Sequence, residues 1–203
     1  MDQGHPIKVL VVGDCSTGKT SVIKKFVQDT FSFRYKASSS VDFSLKELQV
    51  NESTVRLQLW DIAGAENTLG NIAKVYYKEA FGAMLVYDVT RPSTFDTVLK
   101  WKADLDAKVT LPNGEPLPVI LLGNKYDIET AAADTGELDK FCAKHGFIAW
   151  YDVSAKTGFN IEEAARCLVE KIMTHEGIFE TKLQKSVAFR PGKAFEPEPN
   201  SCY

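Results

Sequence analysis

The stretch that decides the fold is IKVLVVGDCSTGKTS, residues 7–21, in which an apolar run leads into a loop that contains glycine. The loop, from Gly13 to Thr20, matches the pattern G-x-x-x-x-G-K-[ST], and the residues after it have helical periodicity. A loop between a buried strand and a helix presents its backbone N–H groups and the positive helix end to anionic groups. The stretch therefore predicts a strand, a phosphate-binding loop and a helix, in that order.

Apolar runs suited to buried strands alternate with helical patterns along the rest of the chain. The predicted strands are 7–13, 55–61, 82–89, 118–123 and 147–153, and the predicted helices cover about 18–29, 68–78, 93–108, 136–145 and 160–175. Residues 41–50 alternate in polarity and precede a short turn, which indicates a hairpin with the strand at 55. We predict an α/β fold with a six-stranded, mostly parallel sheet, one antiparallel strand and about five flanking helices.

The last predicted helix has the clearest pattern. Its apolar residues fall on one face: Ile161, Ala164, Ala165, Leu168 and Ile172. Asn160 is expected to cap its first turn while Glu163 reaches back to the backbone.

Composition narrows the class of protein. The chain has 203 residues, of which 44% are hydrophobic and 25% charged, as expected for one soluble domain. We divide it into an N-terminal extension (1–6), a main domain (7–177) and a flexible, proline-containing tail (178–203). The net charge of −3 gives no reason to expect a nucleic-acid partner. No apolar signal segment, membrane-length run or paired CxxC spacing is evident, which favours a reducing cytosol.

Two side chains of the glycine loop carry the chemistry that a phosphate group needs. Lys19 can neutralise charge on the β and γ phosphates while the backbone amides cradle the β-phosphate. The hydroxyl of Thr20 is a suitable oxygen ligand for Mg²⁺. Because the motif lies between a predicted strand and a predicted helix, we predict a nucleoside phosphate site rather than a chance match.

The identity of the base is predicted by two later loops. The sequence NKYD, residues 124–127, follows a buried strand at the edge of the sheet where open α/β folds bind ligands. The Asp127 carboxylate can accept from both N1–H and N2–H₂ of guanine, which adenine lacks at those positions. In VSAKTG, residues 153–158, the Ala155 N–H can approach the base oxygen and Lys156 can pack nearby. Guanine is therefore favoured, and the alternative of a nucleotide kinase or ATPase is disfavoured.

With these three motifs, the chain resembles the Ras-like small GTPases over about residues 7–175, which implies the P-loop NTPase small-GTPase fold. VDF at 41–43, Trp60 and VYYKEA at 75–80 resemble the Rab family in particular. WDIAG at 60–64, together with LPNG at 111–114, is similar to the Rab subgroup of melanosomes and other lysosome-related organelles.

The resemblance implies a role for each matching residue. The nucleotide would contact Gly13, Ser16, Thr17, Gly18, Lys19, Thr20, Ser21, Phe31, Ser38, Gly64, Asn124, Lys125, Asp127, Ser154, Ala155 and Lys156, with Phe31 against the guanine face. Thr20, Ser38 and Asp61 would hold Mg²⁺, the last through water, whereas Lys19 and Gly64 would act on the γ-phosphate during hydrolysis.

Three positions depart from the family pattern. Ser38, within ASSSVDF, stands where the family has a threonine, and Ser16 stands where Rabs usually have glycine. Ala65 occupies the position of the glutamine that orients the hydrolytic water, beside an apparent one-residue insertion. Intrinsic hydrolysis is therefore expected to be slow. From the sequence, Ala65 can be either a natural divergence or an engineered substitution that favours bound GTP.

The resemblance also implies function and partners. We expect a GTP-dependent switch in vesicle traffic, with effectors reading Val41, Phe43, Trp60 and Tyr76; the alternative is a GTP-locked scaffold with negligible turnover. A guanine-exchange factor and a GTPase-activating protein would regulate it. Cys202, in the terminal NSCY, is either lipidated or an ordinary exposed cysteine. If it is lipidated, a prenylation escort and a GDP-dissociation inhibitor would follow, with peripheral attachment to the cytosolic face of endosomal, lysosomal or lysosome-related membranes.

Overall fold

The computed structural model describes residues 6–32, 41–62, 71–128 and 135–174, without the side chains of 71–73. The predicted N-terminal extension and the predicted tail lie almost entirely outside these residues, as do Ser38, Gly64, Ala65 and Cys202. Within the described part of the chain, no helix combines the length and the apolar character that crossing a membrane requires.

The sheet has six strands in the order β2-β3-β1-β4-β5-β6. The strands are β1 (Ile7–Val12), β2 (Asp42–Val50), β3 (Ser53–Asp61), β4 (Gly82–Asp88), β5 (Val119–Asn124) and β6 (Ala149–Asp152). Only the β2–β3 pair is antiparallel; the other four pairs are parallel. The predicted hairpin and the mostly parallel sheet are therefore confirmed.

Six helices flank the sheet in the described residues. They are α1 (Lys19–Gln28), α2 (Asn71–Tyr77), α3 (Pro92–Asp96), α4 (Val98–Lys108), α5 (Thr135–His145) and α6 (Ile161–Met173). Since α3 has only five residues, the arrangement agrees with the prediction of about five helices.

The predicted helix over 93–108 is divided into α3 and α4 at Thr97. The buried residues Thr94, Val98, Trp101 and Leu105 are spaced three or four apart across this boundary. Because the apolar period continues through the break, periodicity could not reveal it. At this break the Thr97 hydroxyl lies 2.7 Å from Asp14 Oδ2 in the loop after β1 and 3.0 Å from the Thr94 carbonyl of α3.

The core explains why the strand predictions were accurate. Every residue of β4 and β5 is buried, since helices cover both faces of these central strands. The edge strand β2 instead alternates between exposed and covered positions. Continuous apolar runs and alternating runs in the sequence thus correspond to central and edge strands, respectively.

Helix α6 packs closely on the sheet with the predicted apolar face. All five predicted face residues are buried. A Cβ built at Gly82 would lie 2.7 Å from Ile172 Cδ1, so glycine permits α6 to approach β4. The expected cap is contradicted: Asn160 has φ 54° and makes no side-chain cap. Its Nδ2 instead donates to the Asp152 carbonyl at 3.0 Å. The side chain therefore connects the start of α6 to the end of β6.

Candidate functional site

The glycine loop lies between β1 and α1 and requires two of its glycines. Gly13 has φ 135° and Gly18 has φ 96°, a region that L side chains rarely adopt. A Cβ at Gly13 would lie 2.1 Å from the Val86 carbonyl oxygen, and one at Gly18 would lie 2.2 Å from Asn124 Nδ2. The loop therefore packs directly against the end of β4 on one side and the end of β5 on the other.

Ser16, also in this loop, has φ 61°. The left-handed conformation is unfavourable for a residue with a Cβ. The structure thus gives a physical reason why glycine would suit this position better. Serine is accommodated because its side chain is exposed.

Lys19 begins α1, with only 6% of its surface exposed. Its ammonium donates to the carbonyls of Gly13 at 2.9 Å and of Asp14 at 2.8 Å. Burial lowers the pKa of Lys19, while the nearby Asp61 carboxylate acts in the opposite direction. The side chain thus lies along the loop and places a cation beside the backbone amides.

Thr20 and Asp61 bring two hard oxygen ligands together. The Thr20 hydroxyl at the start of α1 donates to Asp61 Oδ2, at the end of β3, over 2.5 Å. Asp61 is 6% exposed, so its charge lies in a sheltered environment. Hydroxyl and carboxylate oxygens are ligands that Mg²⁺ prefers, and this pair fits the predicted role. Ser38, the third predicted ligand, lies outside the described residues.

Asn124 joins three segments through one buried amide. Its Nδ2 donates to the Thr17 carbonyl at 2.8 Å, and its Oδ1 accepts from the Ala155 N–H at 3.0 Å. Asn124 is 1% exposed, so both bonds are shielded from water. The end of β5 is thereby fixed to the glycine loop and to the loop after β6.

The Asp127 carboxylate is held by a neighbouring loop. Its Oδ1 accepts from the Ser154 hydroxyl at 2.6 Å, and Ser154 Oγ in turn accepts from the Thr157 N–H at 3.1 Å. Lys156 Nζ lies 3.5 Å from Asp127 Oδ2, with half of the lysine side chain exposed. The serine, rather than this exposed ion pair, therefore fixes the carboxylate.

Asp88 and Arg91 were missed by the sequence analysis. The fully buried Asp88 carboxylate accepts from Lys125 Nζ at 2.6 Å and from Arg91 Nε at 2.8 Å. Burial alone would raise the pKa of Asp88, but hydrogen bonds from Lys125, Thr90 and Arg91 outweigh it and lower the pKa. Arg91 Nη2 also donates to the Cys15 carbonyl at 3.0 Å. The sequence signal was the position of Asp88 at the end of a buried strand.

Two of the predicted effector-facing residues, Phe43 on β2 and Trp60 on β3, lie on neighbouring strands, whereas Val41 precedes β2 and Tyr76 belongs to α2. Phe43 is 52% exposed and stacks on Trp60, with ring centroids 5.9 Å apart. Lys8 lies on β1, the other neighbour of β3, and its Nζ is 3.7 Å from the Trp60 ring centroid. Val41 and Tyr76 are half-buried and pack against the core. Two of the four predicted residues, Phe43 and Trp60, are therefore in direct contact.

Two further predicted nucleotide contacts lie at the ends of α1. Ser21 is half-buried in its first turn. Phe31 follows the end of the helix and is 37% exposed. Its placement against a base stays a prediction.

The order of the strands, together with the loop between β1 and α1, defines an α/β nucleotide-binding protein of the P-loop class. A family model described as the Ras family matches residues 8–174. Human Ras-related protein Rab-32 is 54% identical over 177 residues, covering 86% of this chain and 78% of the relative. Rab-32A of Dictyostelium discoideum is 53% identical over 173 residues, covering 83% and 78%, respectively.

Rat Ras-related protein Rab-7L1 is 47% identical over 172 residues, covering 84% of each chain. The chain therefore belongs to the Ras family and, within it, to the Rab GTPases of the Rab-32 type. Membership in this family is consistent with binding of guanine nucleotide and with association with endomembranes.

Proposed function

We propose that this chain is a guanine-nucleotide switch in vesicle traffic, whose GTPase domain spans residues 7–177. The main support is the buried Asn124, which joins Thr17 of the glycine loop to Ala155 of the loop after β6. This contact brings the loop suited to phosphates and the loop suited to a base into one site. Relatives that are Rab GTPases support the role in traffic.

Guanine selectivity is assigned to Asp127. Ser154 occupies one carboxylate oxygen from the protein side, at 2.6 Å, and thereby orients the group. An oriented carboxylate can accept from both N1–H and N2–H₂ of guanine, and an adenine ring would leave it without donors. The Ala155 N–H and Lys156 lie on the same loop and would complete the base site.

Phosphate binding is assigned to the glycine loop and Lys19. The buried ammonium already lies beside the Gly13 and Asp14 carbonyls and would turn to the β and γ phosphates. Thr20 and Asp61, with Ser38, would hold Mg²⁺, which when bound neutralises phosphate charge. Ser16, Gly18 and Ser21 would add contacts from the loop and the first helical turn.

Hydrolysis of GTP is proposed to be slow. Gly64 would contact the γ-phosphate, while Ala65 offers no group to orient water. The alternative is a GTP-locked scaffold with negligible turnover. Single-turnover GTP cleavage, measured alone and with an activating protein, distinguishes the two, because a switch must be accelerated by that protein.

The proposed partners are effectors at the surface formed by Phe43 and Trp60, with Val41 and Tyr76, as well as an exchange factor and an activating protein. The exposed Phe43 ring supports this placement. We further propose peripheral attachment to endosomal, lysosomal or lysosome-related membranes through a lipid on Cys202, in the tail 178–203. A prenylation escort and a GDP-dissociation inhibitor would then handle the lipid.

The nucleotide that co-purifies with the protein tests the proposed function most directly. After gentle purification in Mg²⁺, denaturation and chromatography should release GDP or GTP in near-stoichiometric amount. Competition against a fluorescent GDP should then show displacement by GTP and not by ATP. Tight binding of ATP that GTP does not displace would contradict the proposal.

A further inference from the structure

Asp14, in the glycine loop, is held from behind by the region of α3 and α4. Its Oδ1 accepts from Trp101 Nε1 at 2.7 Å, and its Oδ2 accepts from the Thr97 hydroxyl at 2.7 Å. Both are hydrogen bonds to a charged acceptor, which are stronger than neutral ones. The loop is therefore tied to a helix that lies more than 80 residues away in the sequence.

The backbone of the same residue faces the inside of the loop. The Asp14 carbonyl accepts from Lys19 Nζ at 2.8 Å and from the Thr17 hydroxyl at 3.0 Å. Asp14 thus connects Trp101 and Thr97 on one side to Lys19 and Thr17 on the other. A change on the α4 side of Asp14 should alter the position of Lys19.

The two donors are well suited to fix this connection. Trp101 is 2% exposed, so its indole is held by the surrounding core and its N–H direction is set by packing. Thr97 lies at the boundary between α3 and α4, where its hydroxyl contacts the Thr94 carbonyl of α3 at 3.0 Å as well as the Asp14 carboxylate. Both donors therefore come from positions that are fixed independently of the loop.

The direction of the carboxylate matters because the loop is suited to anions. A carboxylate that rotated toward a bound phosphate would repel it, and this repulsion is strong where water is partly excluded. Trp101 and Thr97 hold both oxygens of Asp14 toward α4. The pair therefore orients the loop backbone and also keeps a negative charge directed away from the phosphate site.

We propose that Trp101 and Thr97 are positioning residues that hold the phosphate loop through Asp14 and thereby slow the release of bound guanine nucleotide. This inference rests on the proposed function. Neither side chain needs to touch the nucleotide. Their effect is transmitted by Asp14 to the loop backbone and to Lys19.

The first test is Trp101→Phe, which keeps an aromatic ring and removes the N–H donor. Release of a fluorescent GDP from the full chain in Mg²⁺ should become roughly five- to twentyfold faster. Trp150→Phe is the matched control, because Trp150 Nε1 also donates to a carboxylate, that of Asp139 at 2.8 Å. This control pair lies between α5 and β6, and its variant should release GDP at the wild-type rate.

Thr97→Val keeps the test decisive if Trp101→Phe folds poorly, since valine preserves shape and removes the hydroxyl. It should speed release roughly two- to fivefold. In an Asp14→Ala background, Trp101→Phe should add little, because the shared acceptor is already gone. Additive effects of the two changes would contradict transmission through Asp14.

Binding of guanosine, which lacks phosphates, separates positioning from general loss of structure. Trp101→Phe should weaken GDP binding and leave guanosine affinity within about twofold. Equal losses for both ligands, or an unchanged GDP release rate in both variants, would overturn the inference. If the wild-type chain retains GDP, such results leave the proposed function intact; if the wild type binds no guanine nucleotide, both are wrong.

Discussion

Asn124 Nδ2 donates to the Thr17 carbonyl over 2.8 Å, although the two residues are 107 positions apart in the chain. The contact joins the end of β5 to the loop after β1, with β4 between them in the sheet. Since the same side chain also accepts from the Ala155 N–H, one residue sets the relative positions of the proposed phosphate and base loops.

Asn124→Asp should damage both stability and nucleotide binding. Aspartate keeps an oxygen that accepts from the Ala155 N–H. Its second oxygen, however, replaces the Asn124 Nδ2 donor and faces the Thr17 carbonyl, which is also an acceptor. We expect the unfolding free energy to fall by about 1–3 kcal/mol, with much faster GDP release. Urea denaturation and nucleotide-release kinetics measure these effects. Asn113→Asp is the control, because the exposed Asn113 uses only its acceptor oxygen, toward the Glu115 N–H.

Asp127→Asn should redirect binding from guanine to xanthine nucleotides. The amide replaces an acceptor with a donor, which matches the oxygen that xanthine carries in place of the guanine amine. Competition of GDP and XDP against a fluorescent probe measures the preference. Asp106→Asn, on the exposed face of α4, should leave the preference unchanged. Retention of the GDP preference by the Asp127 variant would argue against base recognition by this carboxylate.

Ser16→Gly should stabilise the chain. Glycine tolerates φ 61° without the steric cost that serine carries there. Removing this cost outweighs the greater loss of backbone entropy that glycine undergoes on folding. We expect the unfolding free energy to rise by about 0.5–1 kcal/mol. Ser44→Gly, in the extended strand β2, should have the opposite sign in the same denaturation experiment. A loss of stability in both variants would show that Ser16 makes a compensating contact.

Ala65→Gln should accelerate intrinsic GTP hydrolysis several-fold while GTP affinity changes little. The added amide can orient water, an effect on the barrier to hydrolysis rather than on ground-state binding. Single-turnover phosphate release measures the rate. Ala107→Gln, at an exposed position of α4, serves as the control. A wild-type rate already equal to that of glutamine-containing Rabs would mean that another group positions the water.

Cys202→Ser should shift the protein from membranes to the supernatant if Cys202 carries a lipid. A single lipid is a weak anchor, so its loss should be sufficient to release the protein. Fractionation of cells that express each variant measures the distribution, with Cys167→Ser as the control. An unchanged membrane fraction would instead indicate that protein partners recruit the chain.

The sequence by itself determined the strands, the glycine loop and the types of residue in the site. Buried strands such as β4 and β5 read as continuous apolar runs, and the edge strand β2 alternates, because each pattern depends on local geometry and burial. Lys19, Thr20, Asn124 and Asp127 could be named because each follows a strand within a short motif. The order of the sheet then brings such strand ends to one edge.

Only the tertiary structure decided how these motifs are connected. The break between α3 and α4 at Thr97 and the bond from Trp101 to Asp14 have no local signal. The position of Asp88 at the end of β4 is visible in the sequence, but its contacts to Lys125 and Arg91 are not. Trp101 has the spacing of an ordinary core residue, and its indole N–H reaches the glycine loop only after α4 has packed against β4. Periodicity records which face of an element is buried, whereas the partner of a polar atom on that face depends on elements distant in the chain.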